Sequence, residues 1–343
     1  MTANILFICG SLNQTTMMHK ISTQLAAFNG YFTPFYADGI IGVAAKAGLA
    51  DFSILGGRHR RATEEYLRKE QLPVDFGGRQ HNYDVVVTCT DLIIQKNIRG
   101  KRLMLVQEGM TEEEDFLYFL VRYLKFPRFL ANTAATGLSD AYDVFCVASK
   151  GYRDLFIRKG VNPNKIVVTG IPNYDNVIQY AKNDFPHHGY VLVATSSIRE
   201  TLKYDNREQF LQQVKQIAAD RKIIFKLHPN ENAGRAVREI RKFFPDEPIY
   251  TDGNVHHMIA NCDVLVAQNS SVIYTALALH KEVYSYLDQN TLKKLVPLQN
   301  GGRSTERIAE VCRQLVHTPL ARVKWSKSKS RRLQRKWETS NAI

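Results

Sequence analysis

"RKIIFKLHPNE" (221–231) and "CDVLVAQNSSVIYTALAL" (262–279) decide how this chain is read. Each opens with a short apolar, β-branched run of strand length. The first run stops at His228-Pro229. Proline cannot donate a ladder hydrogen bond, so it ends the strand and fixes the turn that presents His228. The second run stops at Asn269-Ser270-Ser271, where helical spacing begins; Ser and Asn are favoured N-caps. Taken singly, each is a strand end with a satisfied histidine or a capped helix. Taken together, they are two polar ends of strands in one parallel sheet, placed on the same rim.

Working outward, the same alternation fills the chain. Before the first stretch stand "GYVLVATSS" (189–197) and the helical "REQFLQQVKQIAAD" (207–220); after it come "PIYT", "VHHMIANC" and "EVYSYLD" (282–288). The first half carries its own series: "NILFICG" (4–10), "YFTPFYA", "YDVVVTC" (83–89), "KRLMLVQEG" (101–109), "DVFCVAS" (143–149) and "KIVVTG" (165–170). Helical stretches separate them, "EEEDFLYFLVRYL" (112–124) among these, with its acids expected in the first turn of the helix. Continuous apolar strands alternating with helices imply parallel sheets covered on both faces. The expected fold is α/β, two Rossmann-like doubly wound domains facing across a cleft. The expected division is an acceptor-side domain over 1–172, a donor-binding domain over 173–315 and a basic tail over 316–343.

The 343 residues suit two domains, and no run is long and apolar enough to span a membrane. The N-terminus reads as a first strand, not a secretion signal. Five scattered cysteines without a CxxC pair read as small hydrophobes in a reducing compartment. The formal charge of +13 asks for an acidic partner. Its clusters are "RHRRATEEYLRK" (58–69) and "RVKWSKSKSRRLQRKW" (322–337). Arg58, Arg60 and Arg61 in the first, and Trp325, Arg331, Arg332 and Trp337 in the second, are candidate contacts to an acceptor or an anionic membrane. A solvated helix face and a solvated tail explain the same residues. Nucleic acid is not the expected partner, since no RNA-binding module signature accompanies the charge.

Three donor-rich strand ends on one rim make a site for a nucleotide mono- or diphosphate. Thr195, Ser196, Arg199 and Lys203 come from the first, His228 and Pro229 from the second, and Asn269, Ser270 and Ser271 from the third. These residues carry a resemblance. The "KLHPN" strand end, the "NSSVIYTALALHKEVYSY" segment and "VTGIPNYDNV" before the hinge resemble the GT-B glycosyltransferases. The paired HP and SS elements are similar to those of enzymes with CMP- or CDP-linked donors: bacterial sialyltransferases, Kdo transferases and CDP-glycerol glycerophosphotransferases. The resemblance implies that His228 contacts the donor's nucleotide or phosphate and that Ser270 and Ser271 bind phosphate. It implies transfer of a sugar or glycerophosphate to a bacterial surface glycan or lipid-linked acceptor, at the inner face of the membrane. UDP-N-acetylglucosamine 2-epimerase is a rival in the same superfamily, although "GSLNQTTMMHK" and Asn269-Ser270-Ser271 depart from its pattern. A non-catalytic basic binding protein is the other alternative.

The base that activates an acceptor is expected from the first half. Glu108 ends a strand before Gly109 and is the leading candidate, with Asp91 and His19 behind it. No Asp-x-Asp is present, so no metal is expected. No cofactor is expected beyond the nucleotide-linked donor, a substrate, because P-loop and G-x-G-x-x-G motifs are missing.

Overall fold

A computed structural model describes residues 2–48, 55–201, 205–268, 270–286 and 288–318. The chain forms two compact units, Met1–Asp175 with Asn300–Ile343, and Asn176–Gln299. In the first unit the described elements run β1 (Asn4–Ile8), α1 (Leu12–Thr23), β2 (Asn29–Thr33), α2 (Gly39–Lys46), α3 (Gly57–Lys69), β3 (Val85–Thr88), β4 (Arg102–Val106), α4 (Phe116–Leu124), β5 (Val144–Val147), α5 (Lys150–Arg158) and β6 (Ile166–Val168). The second unit holds β7 (Val191–Ala194), α6 (Arg207–Ala218), β8 (Ile223–Lys226), α7 (Ala233–Arg241), β9 (Ile249–Tyr250), α8 (Val255–Asn261), β10 (Val264–Ala267), α9 (Val272–Ala278), β11 (Glu282–Tyr284) and α10 (Gln289–Leu295). The chain then returns to the first unit with α11 (Ser304–His317).

Both sheets are parallel throughout. The first has the order β2-β1-β3-β4-β5-β6 and the second β11-β10-β7-β8-β9. The interior strands β3, β5, β7, β8 and β10 are buried at every position, as expected of strands covered on both faces. Each order reverses once, beside β1 in the first sheet and beside β7 in the second. In doubly wound sheets that reversal opens a crevice beyond the carboxyl ends of the strands.

The expected second domain, 173–315, differs from the observed division at both ends. Asp175, inside a stretch that reads as a polar linker, is 2% exposed. Its carboxylate accepts the Ser304 backbone N–H at 2.7 Å, and its carbonyl accepts those of Asn300 and Gly301 at 3.0 Å. Ser304 Oγ in turn donates to the Thr169 carbonyl at 3.1 Å. Gly170 sits between them at φ +78°, where a Cβ would come within 2.2 Å of Ser304 Oγ, so the turn needs glycine. The "TGIPNYD" segment is therefore a clasp that returns α11 to the first unit. The acids of 112–115 also differ from expectation: they precede α4, and Asp115 is its N-cap, accepting from Tyr118 N at 2.9 Å. All five cysteines are buried and free, and burial pushes the thiols of Cys9, Cys262 and Cys312 up to about 12.

Candidate functional site

In the second unit the register levels three strand ends: Ala194 lies opposite both Lys226 and Ala267. The next residues of β7, β8 and β10 therefore share one rim beside the reversal of strand order. Lys226 is 6% exposed, and its ammonium donates to the carbonyls of Leu227 and Thr251, tying the β8 end to the loop after β9. His228 follows, half-buried. Its backbone N–H donates to Thr195 Oγ1 at 3.0 Å, and its Nδ1 accepts the Asn230 N–H at 3.1 Å. An imidazole that accepts at Nδ1 carries its proton on Nε2, which makes Nε2 a donor. Pro229 is exposed at the turn, and Asn232 caps α7 by accepting from Arg235 N at 3.0 Å.

Beneath this turn lies a charged network. Glu231, 7% exposed, accepts from Thr195 Oγ1 and from the Arg207 guanidinium at 2.6 Å. Burial pushes its carboxyl above the usual range, against the pull of Arg207. Arg199 holds Glu239 through two bonds of 2.9 and 2.7 Å and lies 3.7 Å from both Asp205 and Glu231. Ser196 Oγ donates to Gln268 Oε1 at 2.8 Å, and Gln268 Nε2 donates to Asp205 at 2.6 Å. The structure thus places Thr195, Ser196 and Arg199 below the rim, both hydroxyls donating to neighbours and the guanidinium turned towards acids, and not at its surface where the sequence suggests them.

The third strand end differs. Ser270 and Ser271 stand half-buried where β10 gives way to α9. Ser271 takes the N-cap position but makes no side-chain capping bond, and Ser270 Oγ reaches Val272 N only at 3.5 Å. The capping explanation therefore accounts for little of this serine pair. No carboxylate of the second unit bonds to either hydroxyl among the described residues. Lys203, Asn269, Trp325, Arg331, Arg332 and Trp337 lie outside the described residues, as does the side chain of Arg58.

In the first unit, Ile8 lies opposite Thr88, and Thr88 opposite Leu105, so Ser11, Asp91 and Glu108 share a rim. Glu108 sits at the start of α1: it accepts from Ser11 Oγ at 3.1 Å, Asn13 Nδ2 at 2.9 Å and Gln14 Nε2 at 2.6 Å. It remains half-buried, with a face to solvent. Tyr36, missed in the sequence reading, lies close enough for the Glu108 charge to help push its phenol up, after burial.

Asp91 is sealed at 0% exposure, its two oxygens accepting from Gly137 N at 2.9 Å and Ser139 N at 3.0 Å. It braces the 137–139 turn and cannot meet a substrate. His19 lies on α1 with Nδ1 3.0 Å from the Tyr66 hydroxyl and its ring edge-on to Phe32. On α3, Arg60 pairs with Glu64 at 2.7 Å and covers the rings of Phe35 and Phe76, while Arg61 is exposed. Among the described residues no helix is long and apolar enough to cross a membrane.

No protein-family model matches the chain, and no curated protein matches it. Solved structures share its fold. A UDP-GlcNAc 2-epimerase from Neisseria meningitidis bound to UDP-GlcNAc is 9% identical, with a TM-score of 0.56 over 91% of this chain and 100% of that one. A UDP-N-acetylglucosamine 2-epimerase from Rickettsia bellii is 10% identical, with a TM-score of 0.53 over 96% and 100%. HepE from Anabaena in complex with UDP is 12% identical, with a TM-score of 0.51 over 100% of both chains. At these identities the likeness is one of fold: two Rossmann-like domains of the GT-B type.

Proposed function

We propose that the chain is a GT-B-type transferase that moves a sugar or glycerophosphate from a nucleotide-activated donor to a glycan or lipid-linked acceptor. The observation that carries this reading is the second unit's rim. There a histidine with its proton on Nε2 and a serine pair whose one capping bond is the 3.5 Å contact of Val272 N to Ser270 Oγ stand beside the switch point. Ser270 and Ser271 donate to the donor's phosphate, and His228 Nε2–H donates to phosphate or ribose. Thr195 and Glu231 hold the His228 turn in place, and Arg207 and Arg199 neutralise the acids beneath it. Glu108 takes the proton from the acceptor hydroxyl, held in orientation by Ser11, Asn13 and Gln14. Hydrogen-bond donors in place of a metal meet the charge that develops on the leaving phosphate.

The paired HP and SS elements favour CMP or CDP as the leaving nucleotide. Calorimetric titration with CMP, CDP and UDP tests the reading: binding of a cytidine nucleotide is expected, and absence of binding by all three overturns it. The names of the solved structures support a second reading, an epimerase acting on a UDP-sugar. Binding of UDP alone, with product formed in the absence of any acceptor, would select it.

A further inference from the structure

α4 is apolar on nearly every side, yet only one side is covered. Tyr118 and Val121 point inward against Ala131, Ala134 and Ala135. Phe116 is 73% exposed, Tyr123 68% and Leu124 62%. A helix apolar all round is ordinarily a buried one. The exposure continues past its end. Lys125, at φ 58°, turns the chain back, and the 3₁₀ segment Arg128–Ala135 packs against the helix. Of the fourteen exposed large hydrophobic residues among those described, eight fall between Phe116 and Leu130. So concentrated an apolar patch marks an interaction surface.

The chemistry of the patch says what covers it. From Phe116 to Ala135 the sequence holds three cations, Arg122, Lys125 and Arg128, and no acid. The acids that precede it are otherwise engaged at two positions: Asp115 caps α4, and Glu114 lies 3.9 Å from Lys159. The Phe119 and Tyr123 rings run parallel along the outer face, 6.3 Å apart, and the Arg122 guanidinium lies over Tyr123. Protruding aromatic side chains with cations among them suit a helix lying in the headgroup region of an anionic bilayer. Lysine is among the residues depleted from protein–protein contacts, and Lys125 stands exposed in this patch.

We propose that α4 and the turn through Leu130 insert into an anionic membrane surface, aromatic side chains entering the headgroup–acyl boundary and Lys125 meeting lipid phosphate. This surface is formed by a different stretch of the chain from the basic clusters at 58–69 and 322–337. Because the chain passes from β4 through Glu108 to α4, an inserted α4 would keep Glu108 within a short length of chain of the bilayer that holds a lipid-linked acceptor. That consequence rests on the proposed transferase function; insertion itself does not.

The test is sedimentation of the full chain with vesicles of phosphatidylcholine and phosphatidylglycerol. The wild type is compared with Phe116→Ser/Phe119→Ser/Tyr123→Ser/Leu124→Ser, all exposed positions, with the fold checked by circular dichroism. At about 0.5 M salt, where exposed charges are screened beyond about 4 Å, the wild type should stay bound. The variant should lose about tenfold or more in partitioning. Equal partitioning of the two, or loss of wild-type binding at that salt, overturns the proposal and leaves attraction to charge elsewhere. Absence of vesicle binding, with a wild-type dimer that the substitutions dissociate in sedimentation velocity, also overturns it and gives the face to a second copy.

Discussion

At the carboxyl rim of the first sheet a carboxylate occupies the start of a helix: Glu108 lies on Ser11, Asn13 and Gln14 of α1. At the same rim of the second sheet two serines stand at the start of a helix with no carboxylate among the described residues bonded to them, and the acids nearby are held below by arginines. Helix N-termini attract negative charge. The first rim already supplies its own anion, and a phosphate brought there would meet repulsion. The second has donors and, among the described residues, no such anion. The contrast supports assigning the nucleotide to the second unit and proton transfer to the first, although the two share a fold plan.

The comparison can be broken at several points. Glu108→Gln keeps the size and several hydrogen bonds of the side chain but removes its basicity. Turnover should fall by about 10²–10⁴-fold while nucleotide affinity, measured by calorimetry, stays unchanged. A parallel loss of affinity would mean that Glu108 serves binding instead. Glu231→Ala should act on the fold: it takes the closer of two carboxylates from the buried Arg207 guanidinium, leaving Asp205 at 3.4 Å. The expected cost is about 3–5 kcal/mol in denaturant unfolding.

A third test concerns pH. His256 stacks on Tyr180, bonds Thr275 Oγ1 at 3.0 Å, and is held down to about 4 by burial and then by the neighbouring His257 charge. The folded state keeps this imidazole neutral, whereas the unfolded chain takes up a proton below about 6.5. Its contribution to stability is therefore whole above pH 6.5 and is lost as pH falls towards 4. The slope is at most about 1.4 kcal/mol per pH unit. In His256→Asn that slope should flatten in melting curves recorded across the window; an unchanged slope would remove His256 as its source. The smallest effect is expected from His228→Ala: about a tenfold rise in the nucleotide dissociation constant, from one lost hydrogen bond to a charged group, with little change in unfolding midpoint.

The strands were legible because a parallel sheet buried on both faces needs continuous apolar runs, and "KIIFKL" and "DVLVAQ" could be little else. His228 and the serine pair were legible because turn and capping chemistry is local. What the sequence left open is tertiary. Arg199 read as a free cation because Glu239, forty positions away, is brought to it only by folding. Glu231 stood in the quoted stretch unremarked, although two arginines near the same strand end called for a buried acid. Asp91 and Glu108 look alike as strand-end acids; only the 137–139 turn closes over one of them. α11 carries an apolar face that names no sheet by itself, and the Asp175 clasp ties its start to the first unit.

The most direct measurement titrates CDP into the wild type, into Ser270→Ala/Ser271→Ala and into Glu108→Gln. The expected result is binding by the wild type, weakening by about 10–100-fold in the serine variant, and no change in Glu108→Gln. Equal affinity in the serine variant and the wild type would contradict assignment of the phosphate site to the second unit.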